Sequence, residues 1–82
     1  MEGQNLPVVL NGQSLWAYVV EQSDGLRLRF SLDDWEKVFL EPGQRVPLSL
    51  PNGSELRLYV DRVRQEPPFV WVTAVRRLLA SR

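Results

Sequence analysis

The chain has 82 residues, 44% of them apolar, and its ten basic and ten acidic residues cancel to a net charge of zero. A chain of this length forms one domain, so we expect residues 1–82 to share a single core. The lack of Cys and His removes thiolate nucleophiles and the usual zinc ligands, so we expect no cofactor and no metal or redox chemistry.

The N-terminal part of the chain predicts a hairpin. Residues 1–6 are polar and contain Gly3, which is typical of a flexible, frayed N-terminus. Residues 8–10 form a short apolar run and predict the first strand. Asn11 and Gly12 follow, and they favour a tight turn because Gly accepts the positive φ that such turns require.

Residues 14–21 alternate in a way that predicts the second strand. Its two faces are Leu15, Ala17 and Val19 on one side and Trp16, Tyr18 and Val20 on the other. Both faces carry bulk, which indicates a central strand with one face in the core and the other under a helix, a tail or a partner.

The third predicted strand, residues 26–30, follows a turn at residues 22–25. Leu26, Leu28 and Phe30 point to one face and Arg27 and Arg29 to the other. This strict alternation predicts a strand with its apolar side in the core and its arginines in solvent.

A short helix is predicted after this strand. Ser31 is a suitable N-cap, and Asp34 stands three residues later, as in a capping box. Leu32, Trp35, Val38 and Phe39 have helical spacing and are expected to dock on the barrel. Pro42 and Gly43 are expected to end the helix.

The second half of the chain predicts three more strands. Inward positions are predicted at Val46, Leu48 and Leu50 in one strand and at Leu56, Leu58 and Val60 in the next. Residues 69–75 predict the last strand, which carries bulky residues on both faces. Pro47 cannot donate to a ladder, which favours an edge strand or a strand start. The apolar phase shifts by one residue near Asp61, which predicts a β-bulge. Residues 76–82 are a basic tail, in which Leu78 and Leu79 suggest a helical turn.

Six short strands joined by tight turns predict a mainly β fold, a small six-stranded antiparallel β-barrel with one short helix between strands 3 and 4. The first twenty residues lack the basic and apolar blocks of a secretion signal. No run reaches the roughly 18 apolar residues that span a membrane. We therefore expect a cytoplasmic protein without a membrane span.

Over residues 6–75 this layout resembles the PilZ domain, through two strands, a Ser/Gly turn, a Leu-rich strand, a Pro-Gly-Gln-Arg-Val turn and a long hairpin. The resemblance implies a six-stranded barrel and cyclic di-GMP binding. Ser23 and Gly25 stand near the family's Asp/Asn-x-Ser-x-x-Gly motif, with Glu21 in place of Asp or Asn and a shorter Ser-to-Gly spacing. The family's N-terminal Arg-x-x-x-Arg clamp is missing, since the first arginine is Arg27.

A weaker resemblance connects the strand, short helix, Pro42-Gly43 and Val46 to the AbrB/MazE DNA-binding fold. That family is about half this length and uses basic residues to reach DNA. The additional strands and the zero net charge of this chain place that resemblance second.

Each candidate feature also has an ordinary structural interpretation. Ser23, Asp24 and Gly25 are typical of a hairpin turn. The outward arginines are typical of solvated strands paired with nearby carboxylates. The three tryptophans are expected in the core or under the helix. If Trp16 with Tyr18, or Phe69 with Trp71, is exposed instead, these aromatic residues suggest a surface for stacking or for binding a partner.

The hypothesis favoured by the sequence is a non-catalytic binding and regulatory module that resembles an atypical PilZ domain. It acts by protein–protein contact, and a homodimer is one form of it. The candidate partner-binding residues are Trp16, Tyr18, Arg57, Arg62 and Arg64. The first alternative is a receptor for cyclic di-GMP or another nucleotide, with ligand contacts from Ser23, Gly25, Arg27 and Arg29. A single-stranded nucleic-acid-binding barrel is the second alternative, disfavoured by the zero net charge. An enzyme is not expected, because the carboxylates lack buried surroundings.

Overall fold

Alternating apolar residues close six antiparallel strands into a barrel, of which the computed structural model describes residues 3–76. The strands follow the order β1-β2-β3-β6-β5-β4 around the closed sheet. The elements are β1 (Gln4–Leu10), β2 (Gln13–Gln22), β3 (Gly25–Ser31), α1 (Leu32–Val38), β4 (Arg45–Ser49), β5 (Glu55–Glu66) and β6 (Phe69–Val75). The predicted fold class is confirmed, including the helix between strands 3 and 4. The part of the chain described here contains no helix with the length and apolar character to cross a membrane.

The core consists of the inward side chains of every strand together with residues of the helical segment. Strand β3 shows the pattern best, since Leu26, Leu28 and Phe30 are buried while Arg27 and Arg29 are only partly covered. Alternate positions of a strand point to opposite faces. The even-odd reading of the sequence therefore predicted the core side of β3 correctly.

Strand β1 is longer than predicted. It begins at Gln4 and pairs with β2 from Gln4 opposite Val19 to Leu10 opposite Gln13. Residues 4–6, which were expected to be frayed, belong to this ladder. A polar residue can occupy the outward side of a strand without any core contact. Hydropathy alone therefore placed the strand start too late.

Helix α1 begins as predicted and ends earlier. The Asp34 backbone N–H donates to Ser31 Oγ at 3.2 Å, which confirms the N-cap. The helix ends at Val38, because Phe39 adopts a left-handed conformation with φ of 46° and its N–H donates to the Trp35 carbonyl. Phe39 is 61% exposed and Leu40 is buried in its place, so the predicted docking role of Phe39 and the predicted end at Pro42-Gly43 are both wrong.

Strand β4 is short and its pairing is asymmetric. It pairs with β5 along its whole length, but with β1 only through Val9 opposite Ser49 and Leu10 opposite Leu48. Pro47 lies inside β4 and faces outward, and its carbonyl accepts from the Asn11 N–H at 2.9 Å. The missing N–H of Pro47 is thus tolerated where the ladder to β1 ends.

The predicted β-bulge is confirmed by a register shift between Val60 and Arg62 in the β5–β6 ladder. The predicted burial of the tryptophans is only partly right. Trp35 of helix α1 is buried, Trp71 is half-buried on the outside of β6, and Trp16 is 64% exposed. The predicted helical turn at residues 78–79 lies outside the described residues.

Candidate functional site

The outward side chains of β2, β3, β6 and β5 form two rows across the barrel. In the first row, Arg29 lies opposite Tyr18 on β2 and Trp71 on β6, and Trp71 lies opposite Arg64 on β5. A second row contains Val20, Arg27, Thr73 and Arg62 in the same strand order. We call this surface the arginine–aromatic face; its residues are Tyr18, Arg27, Arg29, Arg62, Arg64, Phe69 and Trp71.

Two arginines of this face lie against its aromatic rings. The Arg29 guanidinium carbon is 4.6 Å from the Tyr18 ring centroid, 4.5 Å from that of Phe69 and 5.7 Å from that of Trp71. The Arg27 guanidinium carbon is 4.5 Å from the Trp71 centroid. Attraction between a cation and the ring quadrupole favours these contacts. The rings therefore hold both guanidinium groups in place and leave their N–H edges available for hydrogen bonds.

The N-terminal end of the described chain bounds this face. A Cβ atom built on Gly3 would lie 2.6 Å from Tyr18 Cζ and 2.7 Å from Val20 Cγ2. Gly3 precedes Gln4, which lies opposite Val19, so its backbone lies beside β2 and close to the side chains of Tyr18 and Val20. Contact with Gly3 covers part of Tyr18 and Val20, both of which are half-buried.

The charge on this face is mostly positive and incompletely neutralised. Within residues 3–76 the ion pairs are Lys37–Asp34, Arg64–Glu66 and Arg76–Glu21. Among the described residues, Arg27, Arg29 and Arg62 therefore have no carboxylate partner. Since an arginine guanidinium stays protonated in proteins, these groups attract an external anion.

The structure brings five of the predicted site residues onto this one face. They are Tyr18, Arg27, Arg29, Arg62 and Arg64. The other four lie elsewhere. Trp16 lies opposite Pro7, in a shallow apolar depression of about 280 Å³. Arg57 lies opposite Pro47 toward the other end of β5. Ser23 lies in the β2–β3 turn and Gly25 at the start of β3.

Gly25 has a packing role that is independent of any ligand. A Cβ atom on Gly25 would collide with the Ala74 carbonyl oxygen and would lie 2.7 Å from Val75 Cα. The turn next to it is held to the end of β6 by the Arg76 N–H, which donates to the Asp24 carbonyl at 2.8 Å. Close approach of two backbones is a common reason for a glycine in a strand.

Sequence reasoning gave Phe69 and Trp71 a binding role only on the condition that they are exposed, and it did not name Thr73. Phe69 is 38% exposed, and Trp71 and Thr73 are half-buried. Their position beside Arg27 and Arg29 depends on the β3–β6 register, which joins strands far apart in the sequence. The available signal was the outward phase of residues 69, 71 and 73, which matches that of the arginines on β3.

Comparison with protein-family models, with curated proteins and with solved structures gave no match to this chain. The two resemblances proposed from the sequence stay proposals. The arginine–aromatic face is therefore the feature of this chain that points to a function.

Proposed function

We propose that the chain is a non-catalytic binding and regulatory module that docks a partner protein on the arginine–aromatic face. The observation that supports this proposal is the stacking of Arg27 and Arg29 on the rings of Tyr18, Phe69 and Trp71. Trp, Tyr and Arg are the residues that dominate binding energy at protein interfaces. Side chains already held in place lose little entropy on binding, so a preformed group of this kind binds efficiently.

The acidic residues of the chain support a role without catalysis. Asp33, Glu36 and Glu41 are exposed on the helix surface and the loop after it. General acid–base catalysis by a carboxylate depends on burial or on a neighbouring charge that tunes its proton affinity. Exposed carboxylates such as these are better explained as helix-capping and solubilising groups.

The proposal is tested by photo-crosslinking in the cells that produce the protein. Benzoylphenylalanine replaces Phe69 on the arginine–aromatic face in one variant and Phe39, an equally aromatic and more exposed position on the helical side, in the control. We expect position 69 to give one discrete crosslinked protein, and Arg29→Ala to remove it. A product of twice the chain mass would identify the partner as a second copy.

Two results would overturn this function. The first is a crosslink from position 39 but not from position 69, which would place the docking surface on the helix. The second is a product from position 69 that Arg29→Ala leaves unchanged, because the stacked arginine would then have no part in docking.

The PilZ resemblance supports a second candidate, a receptor for cyclic di-GMP, since Arg27 and Arg29 offer guanidinium edges that suit phosphate. This candidate is tested by calorimetric titration with cyclic di-GMP. Micromolar binding that is lost in Arg27→Ala or Ser23→Ala would replace the docking function. Binding to single-stranded oligonucleotides that weakens steeply with added salt would instead favour a nucleic-acid module.

A further inference from the structure

A small depression lies between β3, β6 and β5 on the arginine–aromatic face. It has a volume of about 230 Å³ and is lined by Gln22, Arg27, Arg62, Arg64, Trp71 and Thr73. We call it the arginine depression. Thr73 lies between Arg27 and Arg62 in the cross-strand row. Thr73 is much shorter than either neighbour, so the depression lies where the row of side chains is lowest.

The β-bulge is what orients two of these arginines outward. Leu58 and Val60 are buried, and strict alternation would send Arg62 and Arg64 to the same inward side. The register shift between Val60 and Arg62 reverses the phase, so that Arg62 lies opposite Thr73 and Arg64 opposite Trp71. A shift of one residue turns every later side chain to the other face. The bulge therefore places Arg62 and Arg64 on the outer face, where they line the depression.

The positive charges around the depression favour the binding of an anion. Three guanidinium groups line it, and among the described residues only that of Arg64 has a carboxylate partner, with Arg64 Nε 2.8 Å from Glu66 Oε2. Like charges that line one small depression repel one another, and an oxyanion bound among them relieves the repulsion. Arginine binds carboxylate and phosphate by paired N–H donors. The Thr73 hydroxyl and the Gln22 amide add neutral hydrogen-bonding groups.

Three observations favour a carboxylate over a nucleic-acid phosphate. Arg64, which lines the depression, already binds a carboxylate, that of Glu66. The volume of about 230 Å³ lies below the roughly 300–1,000 Å³ of small-molecule sites, so it suits one side-chain group better than a nucleotide. The rings that would stack on bases are partly covered by Arg27 and Arg29, and base stacking is a main source of affinity for single strands.

We propose that the arginine depression binds an Asp or Glu carboxylate from an acidic segment of the partner protein. This inference rests on the proposed docking function and adds the chemistry of the partner. Glu66 acts as an internal competitor, because its carboxylate occupies Arg64 when the partner is absent. The acidic segment lies across β6, with one carboxylate between Arg27 and Arg62.

The test measures binding of a fluorescently labelled peptide that contains four Glu residues, with the matching Gln peptide as the control ligand. We expect Arg62→Gln to weaken binding of the Glu peptide by about three- to tenfold. Arg57→Gln is the matched control, since Arg57 is also exposed on β5 but lies outside the depression. We expect it to bind as the wild type does, and Glu66→Gln to bind about two- to threefold more tightly, because it frees Arg64.

Other outcomes overturn the proposal. These are no binding of the Glu peptide at about 1 mM, equal binding of the Gln peptide, and an equal loss in Arg62→Gln and Arg57→Gln. Binding of inorganic phosphate or of a single-stranded oligonucleotide that requires Arg62, without binding of the Glu peptide, would assign the depression to phosphate instead.

Failure of this chemistry is distinguishable from failure of the docking function. If Arg62→Gln leaves the yield of the crosslink from position 69 unchanged, docking stands and the carboxylate assignment falls. If the Glu peptide binds through Arg62 but position 69 gives no crosslink in cells, the carboxylate chemistry stands and the docking function falls.

Discussion

Substitution of Gly25 distinguishes a role in packing from a role in ligand binding. Its backbone lies against Ala74 and Val75 of β6, so Gly25→Ala pushes β3 away from β6. We expect the free energy of unfolding to fall by about 1–3 kcal/mol, the usual cost of overpacking. Urea unfolding followed by tryptophan fluorescence measures this change.

The matched control for Gly25→Ala is Ser23→Ala in the adjoining turn. Ser23 is exposed, and we expect its substitution to change stability by no more than about 0.5 kcal/mol. A Gly25→Ala variant as stable as the wild type would contradict the close approach of the two strands. It would also return Gly25 to the list of residues available for a ligand.

Phe39 shows what single-residue propensity does not predict. An aromatic residue at φ of 46° is uncommon, because the left-handed region disfavours bulky side chains. Glycine is the usual residue at a helix end of this kind. The glycine in this segment, Gly43, stands four positions later, and that misled the prediction of the helix end. Burial of Leu40 at the following position fixes the chain direction and compensates for the strain.

At the scale of elements, the Ser31 cap gives a direct test of why α1 starts where it does. Ser31 Oγ accepts from the Asp34 N–H at 3.2 Å. Removing the hydroxyl in Ser31→Ala leaves that donor without its partner, and we expect a loss of about 1 kcal/mol in the free energy of unfolding. Ser14→Ala, an exposed serine on β2, is the control and should be neutral. Equal stability of both variants would show that the cap contributes nothing.

Elements with a local cause were predictable from the sequence, and those with a distant cause were not. The cap of α1 depends on Ser31 and Asp34, three residues apart, and the bulge on the phase of one strand. Both were found from the sequence. The start of β1 and the partners of Arg29 depend on neighbouring strands, and in β6 those partners come from the far end of the chain. Hydropathy along one strand carries no information on its register with such a distant strand.

At the scale of the whole molecule, the barrel is closed at one weak point. The β1–β4 seam has two residue pairs, Val9–Ser49 and Leu10–Leu48, while β5 and β6 form seven. Next to this seam lies a depression of about 410 Å³ lined partly by Leu6 and Leu50. Regions with few hydrogen bonds and few buried contacts open at lower free energy than the core.

We therefore expect native-state hydrogen exchange to divide the barrel. The Asn11 amide, which donates to Pro47 across the seam, should exchange faster than the amides that pair β5 with β6. Uniform protection at the free energy of global unfolding would contradict a weak seam. The Val60 amide, which donates to the Gln44 carbonyl at 2.8 Å between β4 and β5, is an internal reference for strong pairing.

The arginine–aromatic face forms only in the folded barrel, because its residues come from four strands. No two consecutive strands of the chain carry all the residues of this face. Zero net charge hides this face from any argument based on composition, because four of the arginines lie on it while Asp33, Glu36 and Glu41 lie on or beside the helix. Closing the barrel, rather than composition, produces the local positive field.

The most direct measurement is nuclear magnetic resonance of the side-chain protons of Arg27 and Arg29. Stacking on Trp71 from two positions of β3 predicts upfield ring-current shifts of their δ-methylene protons and nuclear Overhauser contacts to the indole. Arg57, which is exposed on β5, should keep the shifts of a free arginine in the same spectrum. Arg27 and Arg29 signals that match those of Arg57, with no contact to Trp71, would contradict the arginine–aromatic face and the binding role built on it.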